Sequence, residues 1–419
     1  MADLSDFEGA EAGIIRRSVP TVKFDFKPGN TVGIAEFVIE GQSEAQSELD
    51  RWAAELLGVD VGTMQILEVL EVRAWGHNPE TGEAYRYVKC RVSRLDDNAK
   101  AEMAVAQRWL ERHPRRPRKP KQPAKNRTAC AEWRPITDTQ LGKGGEERFG
   151  GLSETMARIE WAAEAFSDWH DERVKLGYAP DTIVIPLAGD LGEGVCGSYD
   201  NQEWITQLNS ADQLELVVAA VERHVEAAID QAPRVILTGV ASNHDRLSRV
   251  GKRENITDAW DDRTFVVLRT LARIYDRIGM SQVQVVMPNN PHVSVIDDGH
   301  LIVGTIHGHK PKYKGTAANS MWEWWKSEIA SRRDAAACQV LNTAHYHHAF
   351  TLGPQSGRIL IGLPSLDGGS AFFEATGGDW SLPGIRPYLT TREGVRELDM
   401  LVWDEDRKQA QQQVGGLVA

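Results

Sequence analysis

The chain has 419 residues, 41% of them hydrophobic and 26% charged, which is the make-up of an ordinary globular protein with one large domain and a smaller one. A formal net charge of −12 argues against a protein that coats nucleic acid, and no run of eighteen apolar residues offers a membrane span. Asp3, Asp6 and Glu8 stand where a secretory leader would be basic, and the four cysteines form no CxxC pair, so the expectation is a reduced, cytoplasmic protein without membrane attachment or a cysteine-based zinc site.

Residues 1–19 show no periodicity and are expected to be disordered. Ser43–Leu57 reads as an amphipathic helix, with Leu49, Trp52, Ala53, Leu56 and Leu57 on one face and Gly58 as its stop. Met64–Trp75 and Ala84–Leu95 alternate apolar and polar residues around an Asn78-Pro79-Glu80-Thr81-Gly82 turn, which predicts a hairpin. Residues 20–98 are therefore expected to form a small α+β module without catalytic residues. Residues 99–130 read as a basic, proline-rich linker. Pro114, Pro117, Pro120 and Pro123 stiffen it. From Arg108 to Arg127 it is strongly basic, with Glu111 the only acid, so it is either a solvated spacer or a strip that attracts phosphates.

After Trp133 the pattern changes to short β-branched runs alternating with helical stretches. The runs are Thr182–Leu187, Arg234–Thr238, Gln282–Met287, His300–Thr305, Gln339–Asn342 and Arg358–Leu363. The helices are expected at Glu154–Trp169, Ala211–Gln231, Asp262–Ile278 and Ser320–Arg332. This alternation predicts a layered α/β domain over 131–403 with largely parallel pairing. The polar, Gln-rich residues 404–419 are expected to be a flexible tail.

Most of the strand-like runs end in residues of metal-ligand type. They are Thr137-Asp138-Thr139-Gln140, Gly189-Asp190, Ser242-Asn243-His244-Asp245, His307-Gly308-His309 and His345-Tyr346-His347-His348. Ligands at strand C-termini gather on loops at one sheet edge, and carboxylate, amide oxygen and imidazole suit Mn²⁺, Fe or Zn²⁺. A lone histidine is more often a packed or surface residue than a ligand, so the joint occurrence carries the reading.

The order D-x-Q, GD, NHD, H, HxH resembles the calcineurin-like metallophosphoesterases, the superfamily that includes the Mre11/SbcD nucleases. Asp138-Thr139-Gln140-Leu141-Gly142-Lys143, Gly189-Asp190-Leu191-Gly192-Glu193, His307-Gly308-His309-Lys310 and Leu366-Asp367-Gly368-Gly369-Ser370 are similar to phage members of it. The resemblance implies a layered calcineurin-like metallophosphoesterase sandwich binding two divalent cations roughly 3.5–4 Å apart, with Mn²⁺ expected and Zn²⁺, Fe or Mg²⁺ as alternatives. It implies that Asp190 bridges the cations. Asp138 and His347, with Gln140 nearby, complete one site; Asn243, His307 and His345 complete the other. His244 would protonate the leaving oxygen, with Asp245 orienting its ring. Gln140 stands where most of the superfamily has histidine, and Ala344 where a glycine is common. Lys143, Glu193, Arg246, His309 and Lys310 are candidates for contact with substrate; Glu193 reads as an acid behind the ligands or equally as a surface carboxylate, and His309 more often as a simple neighbour of the site.

Gly192-Glu193-Gly194-Val195-Cys196-Gly197 matches GxGxxG but opens no helix, and no P-loop is present. Trp322, Trp324 and Trp325 follow Lys310, Lys312 and Lys314, either to pack or to stack bases. Arg246, Arg249, Lys252 and Arg253 follow the NHD motif. The leading expectation is a DNA phosphodiesterase, an exonuclease or endonuclease of phage type in a host cytoplasm, with an SbcC/Rad50-like ATPase as partner. Its rivals are a phosphoesterase for small or cyclic nucleotides, and a nucleic-acid-binding module with a structural metal. Nothing in the sequence sets an oligomeric state.

Overall fold

The computed structural model describes residues 23–25, 32–40, 49, 51, 64–77, 84–94, 127–144, 149–195, 202, 206–246, 258–312, 314–353, 357–369 and 381–418. Contacts divide the chain into two units, Met1–Lys100 and Ala101–Ala419.

In the first unit, β1 (Lys23–Asp25), β2 (Val32–Glu40), β3 (Met64–His77) and β4 (Ala84–Arg94) form an antiparallel sheet in the order β1-β2-β4-β3. The alternation read over 64–95 is the β3–β4 pair. β2 was not anticipated, because Gly33 and Ala35 break its apolar run. Phe37 and Ala35 of β2 lie opposite Val88 and Cys90 of β4, and all four are buried, so one face of this sheet is a core face. Of the expected 43–57 helix, Leu49 and Arg51 are described: both are helical, with Leu49 buried and Arg51 exposed. The rest of that helix, the 78–83 turn and most of the basic linker lie outside the described residues.

The second unit is a layered α/β sandwich. A six-stranded sheet runs β15-β14-β5-β6-β7-β8, with β5 (Thr128–Trp133), β6 (Tyr178–Leu187), β7 (Arg234–Gly239), β8 (Val283–Val285), β14 (Tyr388–Thr391) and β15 (Gly394–Arg396). A five-stranded sheet runs β12-β13-β11-β10-β9, with β9 (Ser294–Asp297), β10 (Ile302–Ile306), β11 (Val340–Thr343), β12 (Phe350–Leu352) and β13 (Ile359–Gly362). The inner strands are parallel as expected, but β14 and β15 on one sheet and β9 and β12 on the other pair antiparallel, so both sheets are mixed. Trp133, Val184 and Ile236 of the larger sheet pack with Val303, Val340 and Ile361 of the smaller one, so the sheets meet face to face.

Helices cover the outer faces. α1 (Leu152–Lys175), α2 (Ser210–Ile229) and α3 (Arg263–Arg277) bury their apolar stripes against Ile183, Ile185, Val235 and Leu237, the alternate residues of β6 and β7. α4 (Ala317–Ser331) packs Met321 and Trp325 on Leu341 and Leu360 of the smaller sheet. Trp325 is thus a core residue, with its indole N–H donated to Ala335 O, while Trp322 and Trp324 are only partly buried. Among the described residues, side-chain caps set three helix starts: Asn209 accepts from the amides of Ala211 and Asp212, Asp262 from that of Thr264, and Thr316 from that of Asn319. The polar tail is a correction: Asp404–Val418 forms α5, and its Asp406 is buried in a two-pronged pair with Arg158 of α1 (2.7 and 2.9 Å). That carboxylate, with the buried Ala410 one turn on, docks a helix whose composition reads as solvent-loving. No helix among the described residues is long and apolar enough to cross a membrane.

Candidate metal centre

The ligand-type residues sit just past the C-terminal ends of inner strands from both sheets. β5 leads to Asp138, β6 to Asp190 and β7 to Asn243, while β10 leads to His307 and β11 to His345 and His347. The loop after β5 runs alongside the loop after β6 through the parallel bridges Ile136–Leu187 and Leu141–Gly192. Asp138 N–H donates to Gly189 O and Gln140 N–H to Asp190 O, each at 3.0 Å, which locks the two loops together.

Backbone conformation marks this edge. Asp138, Gln140, Asp190, His345 and His347 all have positive φ, between 41° and 71°, and only Arg332 and Glu397 share that feature among the other described non-glycine residues. Left-handed backbone in residues with a Cβ is costly and persists where the surroundings enforce it, typically at functional sites. Gly189, at φ 94°, permits the turn. A Cβ there would lie 2.5 Å from Ser242 Cβ and 2.9 Å from His307 Nδ1.

Asp190, His307 and His345 each place one ligand atom within 4.8 Å of the others. His307 Nδ1 lies 2.8 Å from Ala188 O, which leaves Nε2 to face Asp190 Oδ2 at 3.0 Å and Asn243 Oδ1 at 2.9 Å. Asp190 Oδ1 accepts the backbone amides of Asn243 (3.1 Å) and His244 (2.8 Å), so the same carboxylate fixes the NHD loop. The second grouping surrounds Asp138. Its Oδ2 accepts from Thr137 Oγ1 and from the His345 amide at 3.2 Å, and its buried Oδ1 makes no hydrogen bond, with His347 Nε2 3.3 Å away.

Gln140 is turned away from a simple ligand role. Its Oε1 accepts from Lys143 Nζ at 3.1 Å, and that ammonium also donates to Asp367 Oδ2 (2.8 Å) and Gly369 O (2.6 Å). Lys143 is therefore buried behind the Asp138 grouping. Asp367, which accepts from Lys143, also lies 3.9 Å from His347 Nδ1 and places a negative charge beside that ring.

Electrostatics favour positive charge here. Burial is the largest single influence and pushes His244 and His307 down, but the surrounding acids together outweigh it: Asp190 with Glu193 for the first, and Asp190 with Asp138 for the second. The net result is about 10 for His244 and about 9 for His307. Burial raises the Asp190 and Asp138 carboxyls, yet the facing imidazoles hold both below the ordinary carboxylate range. His345 goes the other way, to about 4, through burial and the His307 charge. A concentration of buried carboxylates that holds imidazoles protonated is one that a divalent cation can neutralise by displacing those protons. With an unbonded Asp138 oxygen and mixed O and N donors, the residues fit divalent cations.

His244 and Asp245 part company. His244 Nδ1 lies 3.2 Å from Glu193 O and 3.4 Å from Glu193 Oε1, which directs Nε2 toward Asp190, 4.0 Å away. Asp245 does not orient this ring. Its buried carboxylate accepts the amides of Leu191 (2.5 Å) and Gly192 (2.7 Å) and the Arg263 guanidinium (2.6 Å). The reason is geometric: adjacent residues in a loop point apart, and Asp245 points under the GD loop. The orienting acid is Glu193, which a count of three residues past Asp190 places on the same turn.

Arg246 Nε donates to Ser242 O at 3.3 Å, beside the site. His309 packs 5.2 Å from His307, and Lys310 is exposed. Arg249, Lys252 and Arg253 lie outside the described residues, as does Ser370. A cleft of about 950 Å³ at the opposite ends of the strands, lined by Tyr178, Arg234 and His300, contains none of the predicted ligands.

No protein-family model matches the sequence, and no curated protein matches it. Among solved structures the chain is similar to a zinc complex of wild-type Vps29 from Entamoeba histolytica, with 14% identity and TM-score 0.27 over 65% of this chain and 98% of that one. It is also similar to Vps29 from Chaetomium thermophilum (9%, TM-score 0.26, covering 65% and 98%). A dimetal phosphatase from Danio rerio gives 12% and TM-score 0.29, covering 65% and 99%. Likeness at these values carries no argument about chemistry, which rests on the geometry of the site.

Proposed function

We propose that the chain is a two-metal phosphodiesterase that cleaves DNA, in the manner of the Mre11/SbcD nucleases its motifs resemble. The observation that supports this most is the convergence of Asp138, Asp190, Asn243, His307, His345 and His347 from two sheets onto one edge, with His244 beside them. Asp190, His307, His345 and Asn243 would hold one cation, and Asp138, Asp190 and His347 the other. Bound there, Mn²⁺ ions would supply an activated water and neutralise charge on the phosphoryl oxygens. The chain's own residues do the rest. Glu193 holds His244 through Nδ1, so that Nε2 faces the site as the proton donor to the departing oxygen. Asp245 and Arg263 keep the GD and NHD loops in register. Arg246, Lys310 and the basic strip from Arg108 to Arg127 favour a phosphate backbone over an uncharged substrate. A coiled-coil ATPase partner and a cytoplasmic setting complete the proposal.

The test is incubation of the full chain with Mn²⁺ and labelled single- and double-stranded DNA. Cleavage that stops on chelation is the expected result. Intact DNA alongside turnover of small diesters would instead assign the site to small or cyclic nucleotides.

A further inference from the structure

Beside the metal centre, and sharing His307 with it, is a cavity of about 200 Å³ whose walls include His292, His309, Pro311 and Trp324, with Lys310 at its edge. Both ring nitrogens of His309, and Nδ1 of His292, are buried without a hydrogen-bond partner. The two rings meet edge to face at 5.7 Å, and His309 stands 5.2 Å from His307. Nothing in the phosphodiesterase chemistry uses them. Buried polar atoms left unpaired are uncommon and destabilising, and a ligand that completes them is one reason such atoms are kept beside a cavity.

We propose that this cavity is a subsite for one nucleobase of the ester being cleaved. The claim rests on the phosphodiesterase reading and names its substrate class as nucleotidyl. Three features favour a base over other occupants. The volume is below the roughly 300–1,000 Å³ of clefts that take a whole drug-sized ligand, so the cavity takes a single ring system. Its lining sets the partly buried Trp324 indole, available for stacking, beside the apolar Val293, Ile306 and Pro311, while the charged Arg333 and Glu328 in the same wall are paired with each other. An imidazole offers one donor and one acceptor, matching the mixed edge of a base, whereas a phosphate calls for donors alone. Because His307 is common to both, a base held here belongs to the nucleotide next to the scissile phosphate.

The test compares two diesters with the same leaving group, p-nitrophenyl thymidine 5′-phosphate and methyl p-nitrophenyl phosphate, on the full chain with Mn²⁺. The expected kcat/KM ratio is roughly tenfold or more in favour of the nucleotide ester. It falls toward one in Trp324→Ala and His309→Ala, and most of it survives in Trp324→Phe and His309→Gln. A ratio near one in the unmodified chain, or one unmoved by the alanine variants, overturns the subsite and leaves the phosphodiesterase reading standing. Turnover of neither ester overturns both. Should the variants fail to fold, free thymidine decides: competitive inhibition of methyl-ester turnover supports the subsite, and its absence refutes it. A Mn²⁺ content above two per chain that drops in His309→Gln, with no effect of thymidine, would show a third cation instead. Replacing the nucleotide ester with a short single-stranded oligonucleotide separates a nucleic-acid strand from a free nucleotide as the source of the base; for either source, a preference over the methyl ester that the alanine variants abolish supports the subsite, and a preference they leave unmoved overturns it.

Discussion

The Asp245 carboxylate sits 2.6 Å from the Arg263 guanidinium, both fully buried, although the residue immediately before Asp245 faces the metal centre. Neighbours in sequence thus serve different purposes, and substitution should separate them. Asp245→Asn leaves a buried arginine without its counter-charge and is expected to destabilise the fold by about 3–5 kcal/mol, read as a drop in thermal midpoint. His244→Gln should leave melting and cation content alone while lowering kcat by about 10²–10⁴. Equal loss of stability in the two variants would contradict this division.

Asp190 presents one oxygen to His307 and the other to the NHD amides. Asp190→Asn removes the charge shared by both proposed cation positions, so elemental analysis should find both ions lost together. Two ions per chain in that variant would refute the bridging assignment.

Far from the site, His224 of α2 is buried edge-on to Phe166, and burial together with Arg223 and Arg134 depresses its pKa to about 3. In the unfolded chain the same ring titrates near 6.5, so between about 6.5 and about 3 the unfolded state binds the extra proton. Stability from this group is therefore complete above that window and lost as pH falls through it, by at most about 1.4 kcal/mol per unit. Denaturant unfolding in chelator at pH 7, 6 and 5 should show a steeper loss for the natural chain than for His224→Leu. Parallel slopes would exclude the mechanism.

A fourth outcome concerns the turn before Asp190. Gly189→Ala forces a Cβ into Ser242 and His307 at a backbone angle that alanine avoids. We expect loss of cation binding and of activity together, whereas Gly177→Ala, equally left-handed at φ 100° but with nothing within 4 Å of the added Cβ, should lower the melting temperature while retaining both.

How much of this could be read beforehand follows from what each feature depends on. Strands such as Arg234–Gly239 and helices such as Arg263–Arg277 carry their periodicity locally, and so were legible. So was the gathering of ligand-type residues at one edge, because each lies in the loop that follows an inner strand. The functions of Asp245, Gln140 and Lys143 were not, since each is decided by a partner at a distance in the chain: Arg263 for the first, and Asp367 for Lys143, whose ammonium then occupies Gln140. The tail failed for the same reason, with Arg158 lying 248 positions from Asp406.

The left-handed residues at the cation edge carry one more implication. A chain that twists four of the proposed ligands, with Gln140 between two of their loops, into a sparsely populated conformation holds them ready before any ion arrives, and the apo protein bears the cost. Ion binding then has little reorganisation to drive, so capture should be fast and the melting temperature should climb steeply with Mn²⁺ concentration. On that proposal, the strain held at this edge is offset by the same ions it is built to receive.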